Sequence, residues 1–386
     1  MENNNVNDDC KSPACIFISL IILLGILGIC YIFYDKYIKK PTDKIEIAAV
    51  AVVDSSVNKT FYPPKQSPFH NNVGICFSVE ATQWFTTPPV KYSQALQNKY
   101  TFERLEAISK HFKLIRIYSY LVAGFEQTGT LSPEGYALTR IAKQDASIEA
   151  VVATSNNIAW YMVASNVQQF VDTMQNEFGS SISQVKTILI GNEVNTIPNF
   201  TPSQLSTVIG NFKIALKNNS LTIPVTVSFN SLPNQQGDAF SDSLVAKVMQ
   251  NWDTTWNGNN QFVFIDPYPD GMVGGVSGVY KWQYQVTKYY KTLHPSLQIF
   301  IAETGAEGSA SDASTVVTVD SIFYELNNQY TLIKKTVPTF MFEAVNEPLK
   351  PAAPNQQFMG IYTDSSDPKK VNLNLKSGVT LPTWIK

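Results

Sequence analysis

Eight short apolar runs, separated by stretches of helical character, constrain the fold of this chain more than any other feature. They lie at 73–79, 113–120, 148–155, 186–193, 224–230, 262–268, 297–304 and 338–345. Each is largely continuous in Val, Ile, Phe or Leu rather than alternating, which is typical of parallel strands buried on both faces. We therefore predict an α/β fold, a (β/α)8 TIM barrel, over residues 71–386.

An open, doubly wound sheet is the competing architecture for alternating strands and helices. Its usual signature is a Gly-rich turn directly after the first strand. Here the first strand is followed by SVEATQWFTTPP, which contains no Gly, and this favours the barrel. Thr201 and Ser132 each precede a Pro, so we also predict that these two hydroxyl residues cap helices.

The N-terminal part of the chain has a different character. Residues 16–34 are 19 positions without a charge, and at 1.5 Å per residue a helix of about 28 Å matches the ~30 Å hydrocarbon core of a bilayer. We predict a polar tail at 1–15, a single transmembrane anchor at 16–34 and a stalk at 35–70. A cleaved signal peptide is the alternative, but the run is long for one and no A-x-A cleavage site follows it.

Two indications of membrane orientation disagree. Lys11 is the only Lys or Arg before the apolar run, whereas four lysines lie in the ten residues after it, which by the positive-inside tendency places the domain in the cytoplasm. Glycosylation triplets at Asn58, Asn199 and Asn218 instead fit a glycoprotein. Our prediction is a single-pass membrane protein with an extracellular or lumenal domain, in conflict with the lysine distribution.

Composition excludes several classes of function. The net charge of −2 gives no basic field, so we predict no nucleic-acid partner. Three of the four Cys lie in or beside the apolar run, which leaves only Cys76 for the rest of the chain. No disulfide framework and no metal-ligand spacing follow from this pattern. We therefore predict no metal and no cofactor, and we expect a monomer.

Polar side chains follow the predicted strands at their carboxyl ends, which in a barrel form one rim where active sites lie. A lone acid there is most simply explained as the partner of a buried arginine. Several acids that converge with amides and tyrosines indicate a binding site instead. The residues in question are Arg116, Tyr118, Tyr120, Asn156, Asn157, Asn192, Glu193, Asp266, Tyr268, Glu303, Glu343, Asn346 and Glu347.

Two carboxylates across such a rim suit glycoside hydrolysis. One must be protonated to give a proton to the leaving oxygen, and the other must be ionised to attack the anomeric carbon or to activate water. Glu193 on the fourth strand and Glu303 on the seventh are three strands apart, so they can face each other across a sugar. We expect a separation near ~5 Å, which is the retaining geometry.

The ordered motifs at these strand ends resemble glycoside hydrolase family 17, the β-1,3-glucanase group of the retaining barrel clan. They are VGICF at 73–77, IRIY at 115–118, GNEV at 191–194, ETG at 303–305, FEAVNEPLK at 342–350 and FMGIY at 358–362. The resemblance implies that Glu193 is the general acid/base and Glu303 the nucleophile of a hydrolase that acts on β-glucan, a cell-wall type of polysaccharide or its oligosaccharides.

The resemblance also implies substrate contacts. Glu347 and Lys350 are expected to line the sugar site, and Asn192 to bond the sugar 2-hydroxyl. Tyr118 and Tyr268 are expected to bind substrate at the rim, where either can also hold the nucleophile through a hydrogen bond.

One acid of the rim, Asp266, also has a structural interpretation. Asp266 can be either a strand-end acceptor for backbone amides or a ligand contact. In addition, the sequence departs from the family pattern at two places. Ala306 and Glu307 replace the Trp-Pro that usually follows ETG in the family. Val345 and Leu349 replace aromatic residues of strand eight, so fewer stacking surfaces are available to sugar rings.

Two alternatives to hydrolysis stay open. A glucan transglycosylase would use the same residues, and its acceptor subsites would decide the outcome. A non-catalytic glucan-binding surface protein is the alternative from another class, and the missing Trp after ETG is the feature that supports it.

Overall fold

A computed structural model of the chain describes residues 61–62, 67–79, 82, 92–123, 126–235, 238–252, 261–306, 312–348, 357–365, 367 and 369–385. The predicted tail, the predicted anchor at 16–34 and most of the predicted stalk lie outside these residues, as do Asn58 and Lys350. Within the described ranges, no helix combines the length and the apolar character needed to cross a membrane.

The described elements alternate as the sequence predicts. The strands are β1 (Val73–Phe77), β2 (Leu114–Ile117), β3 (Glu149–Ala153), β4 (Val185–Leu189), β5 (Val225–Thr226), β6 (Ser228–Phe229), β7 (Phe262–Ile265), β8 (Gln298–Thr304), β9 (Thr339–Met341), β10 (Tyr362–Thr363) and β11 (Asn374–Leu375). The α-helices are α1 (Gln94–Ser109), α2 (Pro133–Gln144), α3 (Ile158–Tyr161), α4 (Ala164–Phe178), α5 (Pro202–Asn218), α6 (Ala239–Asn251), α7 (Gly275–Leu293) and α8 (Asp312–Ile333). Short 3-10 helices lie at Glu126–Thr128, Gly179–Gln184, Val194–Thr196 and Pro269–Gly271.

The main sheet closes into a barrel. Its strands are paired in parallel in the order β5-β4-β3-β2-β1-β9-β8-β7-β6. Because β5 and β6 are two halves of one segment interrupted at Val227, both ends of this order are the same stretch of chain. The Ile190 N–H donates to the Thr226 carbonyl at 2.9 Å, and the Phe264 N–H donates to the Val227 carbonyl at 3.0 Å. The predicted (β/α)8 barrel is confirmed, with the fifth strand position divided in two.

Local capping fixes where two of the barrel helices begin. The Thr201 hydroxyl accepts the Gln204 N–H at 3.2 Å, and the Gln204 side chain accepts the Thr201 N–H at 2.9 Å, which completes a capping box. The Ser132 hydroxyl accepts the Gly135 N–H at 2.9 Å at the start of α2. Both predicted caps are confirmed.

The amino end of the barrel is filled by an aromatic cluster. The Phe69 side chain, 5% exposed, lies with its ring centroid 6.4, 6.4, 6.1 and 6.0 Å from those of Phe262, Phe264, Phe300 and Phe340. Since the interior is packed at this end, the polar residues at the carboxyl ends of the strands are the ones left to form a cleft.

Candidate active site

The chain turns sharply between the end of β4 and Glu193. Gly191 has φ +63, and a Cβ there would lie 2.8 Å from Asn156 Oδ1, so the position requires Gly. Glu193 itself has φ 50 and ψ 54, the left-handed region that non-Gly residues rarely adopt. Such conformations persist where surrounding contacts hold them, and they cluster at functional sites.

Contacts from the fifth strand position hold Glu193. Its backbone N–H donates to Ser228 Oγ at 3.1 Å, and its Oε1 accepts a hydrogen bond from Asn230 Nδ2 at 2.8 Å. The side chain is half-buried. The carboxyl group is thus fixed in direction and still reaches solvent, as a group that gives and takes protons requires.

Glu303 lies in a different environment, at the end of β8. The residue is only 4% exposed. Its Oε1 accepts from Arg116 Nη1 at 2.9 Å, and its Oε2 accepts from the Tyr268 hydroxyl at 2.7 Å. Burial first, and then the charge of Glu303, raise the pKa of Tyr268 well above its usual range. Tyr268 therefore stays protonated and donates to Glu303.

The ETG motif requires glycine at its third position for a steric reason. A Cβ on Gly305 would lie 1.9 Å from the Phe342 carbonyl oxygen, so no larger residue fits between the ends of β8 and β9 without displacing the backbone. Because Gly305 is two residues from Glu303, this close approach also fixes where the carboxylate emerges from the strand.

Arg116 joins the two candidate catalytic residues into one network. Besides Glu303, the buried guanidinium donates from Nη2 to Asn192 Oδ1 at 2.5 Å and from Nη1 to the Ala302 carbonyl at 2.8 Å. The Ser228 hydroxyl donates to the same Asn192 oxygen at 3.1 Å. Since a guanidinium can only donate, these contacts assign oxygen and nitrogen of the Asn192 amide. The Asn192 NH2 group then has no acceptor among the described residues.

Asp266, directly after β7, does not take the structural role that was one of its two interpretations. The residue is 2% exposed, and its Oδ1 lies 4.0 Å from Arg116 Nη1. No donor in the described part of the chain makes a hydrogen bond of normal geometry to either carboxyl oxygen, so the interpretation as an acceptor for backbone amides is wrong. Burial and the charge of Glu303 raise the pKa of Asp266 well above its usual range, and Arg116 and Ser228 lower it only in part.

Tyr118 does not make one of the contacts that the sequence allowed. Its ring lies beneath the Arg116 guanidinium, 4.7 Å from the centroid, and edge-on to Phe342 at 6.0 Å. Its buried hydroxyl has no hydrogen-bond partner among the described residues. The hydrogen bond to Glu303 that the sequence allowed for either Tyr is therefore made by Tyr268 and not by Tyr118. Tyr118 packs against Arg116 and so supports that network.

Two further predicted contacts belong to the strand-eight motif. Glu347 is 2% exposed and accepts a hydrogen bond from Ser78 Oγ at 2.9 Å. This places its carboxylate beside the end of β1, on the same rim. Lys350 lies outside the described residues. Substrate contacts of both residues stay predictions, as does the ~5 Å carboxylate separation.

Sequence reasoning missed two members of the network, Ser228 and Asn230. It placed Arg116 on the rim but did not predict its bond to Asn192. Asn230 is the last residue of the predicted run at 224–230, so the strand-end rule would have found it. Ser228 lies within this run, and its contact with Asn192 has no signal in the local sequence.

Comparisons with known proteins support the fold. No protein-family model and no curated protein matches the sequence. Two solved structures of a β-1,3-glucanosyltransferase from Rhizomucor miehei are similar to this chain. One, described as a member of glycoside hydrolase family 17, is 14% identical and has a TM-score of 0.50; the matched region covers 81% of this chain and 97% of the chain in that structure. The other, an active-site mutant with laminaritriose, has the same identity and coverage and a TM-score of 0.51. At this identity the similarity shows the barrel fold alone.

Proposed function

We propose that the protein is a retaining glycosidase that cleaves β-1,3-glucan, with Glu193 as acid/base and Glu303 as nucleophile. The observation that carries the proposal is the contrast between the two carboxyl groups. Glu303 is buried and held by Arg116 and Tyr268, whereas Glu193 is half-buried and held by Asn230. A retaining mechanism needs one fixed carboxylate and one that exchanges protons.

In the first step, the Glu193 carboxyl gives its proton to the glycosidic oxygen while a Glu303 oxygen attacks the anomeric carbon. The bond from the anomeric carbon to the leaving oxygen breaks, and a covalent glycosyl-enzyme forms. Asn192 is in position to contribute, since Arg116 and Ser228 occupy its carbonyl oxygen and leave its NH2 to donate to a sugar hydroxyl.

In the second step, Glu193, now ionised, removes a proton from water. The water oxygen attacks the anomeric carbon, and the bond to Glu303 breaks with its electron pair returning to the carboxylate. Two inversions give net retention. The Tyr268 hydroxyl and Arg116 hold Glu303 as it accepts and releases the sugar.

Turnover of laminarin, β-1,4-glucan and β-1,6-glucan by the wild type and Glu303→Gln tests the proposal. We expect hydrolysis of laminarin, β-configured first products by NMR, and loss of turnover in Glu303→Gln. Glu177→Gln is the matched control, because Glu177 is exposed on α4. Full turnover by Glu303→Gln, or α-configured first products, would contradict the assignment.

Glu193→Gln separates the two roles. A good leaving group needs no proton, so we expect this variant to keep the first step with an activated aryl β-glucoside while it loses cleavage of laminarin. Equal loss on both substrates would argue against Glu193 as the acid.

Transglycosylation is a second candidate, because two of the solved structures similar to this chain are of a β-1,3-glucanosyltransferase. A sugar hydroxyl would then replace water in the second step. Products longer than the substrate at high laminari-oligosaccharide concentration would indicate transfer. Laminarin binding without cleavage, unchanged in Glu303→Gln, would instead indicate a non-catalytic glucan-binding protein.

We further propose that residues 16–34 anchor the protein in a membrane, with the barrel on the extracellular or lumenal side. The uncharged length of this run supports the anchor. Asn199 supports the orientation, since Asn199 and Thr201 of its glycosylation triplet are exposed. Carbonate extraction of the full chain tests the anchor, and an endoglycosidase-sensitive mass shift lost in Asn199→Gln tests the side.

A further inference from the structure

Asp266 lies inside the candidate active site but takes no part in the two proposed steps. It directly follows β7, and its side chain is fully buried. Neither carboxyl oxygen has a hydrogen-bond partner in the described part of the chain. Because no substrate can touch a side chain without exposed surface, any effect of Asp266 on catalysis must pass through its charged neighbours, Arg116 and Glu303.

The hydrogens of the Arg116 guanidinium nearest to Asp266 are already in use. Nη1 carries two hydrogens, and it donates to Glu303 Oε1 at 2.9 Å and to the Ala302 carbonyl at 2.8 Å. Its contact with Cys76 Sγ is longer, at 3.9 Å. Asp266 Oδ1 lies 4.0 Å from the same nitrogen, which is beyond hydrogen-bond distance. Nη1 thus has no hydrogen left for a second carboxylate.

An ionised Asp266 would disturb this arrangement in two ways. Its oxygen can gain a hydrogen bond from Nη1 only if Glu303 or the Ala302 carbonyl loses one. Its charge would also repel the Glu303 carboxylate, since both acids border the same nitrogen and like charges at short range disfavour each other. Because the guanidinium also donates to Asn192, its displacement would reach the residue beside Glu193. A neutral Asp266 has none of these effects.

The surroundings of Asp266 favour its neutral form. Burial first, and then the charge of Glu303, raise the pKa of Asp266 well above its usual range, and the charge of Glu193 acts in the same direction. Arg116 lowers this pKa only in part, as expected for a guanidinium that donates to another acid. The site therefore holds Asp266 as an acid with its proton.

Two further ionisable groups act on Asp266, the Cys76 thiol of β1 and the Tyr268 hydroxyl after β7. The hydroxyl of Tyr118 belongs to the ring that lies beneath Arg116. Burial raises the pKa of all three groups above their usual ranges and keeps them neutral below about pH 10. Of the groups whose charge acts on Asp266, the guanidinium stays charged throughout. Besides the nucleophile, this leaves Glu193, and Glu193→Gln removes its titration.

We propose that Asp266 is a positioning residue of the glycosidase site: its neutral carboxyl group leaves the Arg116 guanidinium to Glu303, and its ionisation draws the guanidinium away and slows attack on the anomeric carbon. Asp266 thereby sets the alkaline limit of the first step. This inference rests on the proposed role of Glu303 as nucleophile. An Asn at position 266 cannot ionise, so it would remove the limit.

The pH dependence of kcat/KM in a Glu193→Gln background tests this role. An activated aryl β-glucoside needs no proton for its leaving group, so kcat/KM reports attack by Glu303 in the free enzyme. We expect Glu193→Gln to lose kcat/KM about tenfold per pH unit above the point where Asp266 ionises. Glu193→Gln/Asp266→Asn should show no such decrease. Each profile is normalised to its own plateau, so that the shapes are compared and not the levels.

Glu193→Gln/Asp270→Asn is the matched control. Asp270 is exposed in the loop after the same strand, so this variant should keep the decrease of its Glu193→Gln parent. Infrared difference spectroscopy gives a readout that does not depend on turnover. We expect a protonated-carboxyl band that is lost in Asp266→Asn and that titrates with the same midpoint as kcat/KM. A merely structural Asp266 would change the stability or the level of activity but would not move this midpoint.

The outcomes separate this inference from the proposed function. If the wild type and Glu193→Gln cleave their substrates, but the profile is the same with and without Asp266→Asn, whether falling or flat, the role of Asp266 alone is overturned. Absence of the protonated-carboxyl band at a pH where cleavage is maximal would also overturn it. If the wild type cleaves neither β-glucan nor the aryl glucoside, the proposed function fails and the role of Asp266 fails with it.

Discussion

Asp266 gives the sharpest test of the electrostatics at the rim. Its carboxyl group is 2% exposed and lies 4.0 Å from Arg116 Nη1, whereas Glu303 lies 2.9 Å from the same nitrogen. One guanidinium therefore serves Glu303 as a hydrogen-bonded partner and Asp266 only at a distance. Burial and the charge of Glu303 raise the pKa of Asp266 well above its usual range. At pH values between the unfolded and the folded pKa, the folded protein thus keeps a proton on Asp266 that the unfolded chain releases.

The sign and size of the effect on stability follow from linkage. Between the unfolded pKa of Asp, ~3.9, and the raised folded pKa, the native state holds one more proton than the unfolded state. The free energy of unfolding then falls by about 1.4 kcal/mol per pH unit across this window. Below the window Asp266 is protonated in both states, and its stabilising contribution is fully present.

Asp266→Asn keeps the shape of the neutral acid and cannot ionise. We expect its free energy of unfolding, relative to the wild type, to be constant below about pH 4. Above about pH 4 it should rise by about 1.4 kcal/mol per pH unit until the raised pKa of Asp266 in the folded protein is reached. Urea unfolding of both proteins from pH 3.5 to pH 8 measures this difference. Asp270→Asn, in the exposed loop after the same strand, provides the reference series. If the wild type and Asp266→Asn change in parallel, Asp266 is ionised in the folded protein and the reasoning is refuted.

Three further substitutions test the site and the fold. Tyr268→Phe removes the 2.7 Å bond to Glu303, so kcat/KM on laminari-oligosaccharides should fall about 10- to 100-fold. The control is Tyr362→Phe, which loses a 2.8 Å contact to the His111 ring and should keep the wild-type kcat/KM. Equal losses in the two variants would count against a role of Tyr268 in holding Glu303. Phe69→Ala empties the amino end of the barrel and should lower the free energy of unfolding by about 3–5 kcal/mol in urea; a change below about 1 kcal/mol would mean that the cluster does not support the barrel. Thr201→Ala removes a capping box and should lower the free energy of unfolding by about 1 kcal/mol in the same urea assay, with unchanged kcat. An unchanged free energy of unfolding would show that the cap does not stabilise the protein.

The fold could be predicted because strand burial leaves a signal in local sequence. All eight predicted runs coincide with strand positions of the barrel. Their ends could not be predicted in the same way. The run at 186–193 is apolar through Ile190, which is fully buried, yet β4 ends at Leu189. The turn depends on Gly191 at φ +63, and hydrophobicity carries no information about backbone direction.

The candidate site was predicted where a residue's position alone was enough. Glu303 lies at the end of a strand, Tyr268 and Asn192 follow strands, and the barrel brings strand ends to one rim. Orientation was not predictable, because it depends on partners distant in the chain. Tyr118 and Tyr268 look equivalent in sequence, but only the Tyr268 hydroxyl reaches Glu303.

The contacts of Arg116 show that a strand-end acid can be both the partner of a buried arginine and a member of a functional site. A buried carboxylate without a partner is strongly unfavourable, and removal of one member of a buried pair costs about 3–5 kcal/mol. Glu303 is 4% exposed, and the Arg116 contact at 2.9 Å supplies the partner that a buried carboxyl group needs. The salt bridge is thus compatible with the proposed role of Glu303 as nucleophile and is not a competing explanation of this acid. Because the same guanidinium also holds Asn192, next to Glu193, the motifs IRIY, GNEV and ETG act as one physical unit.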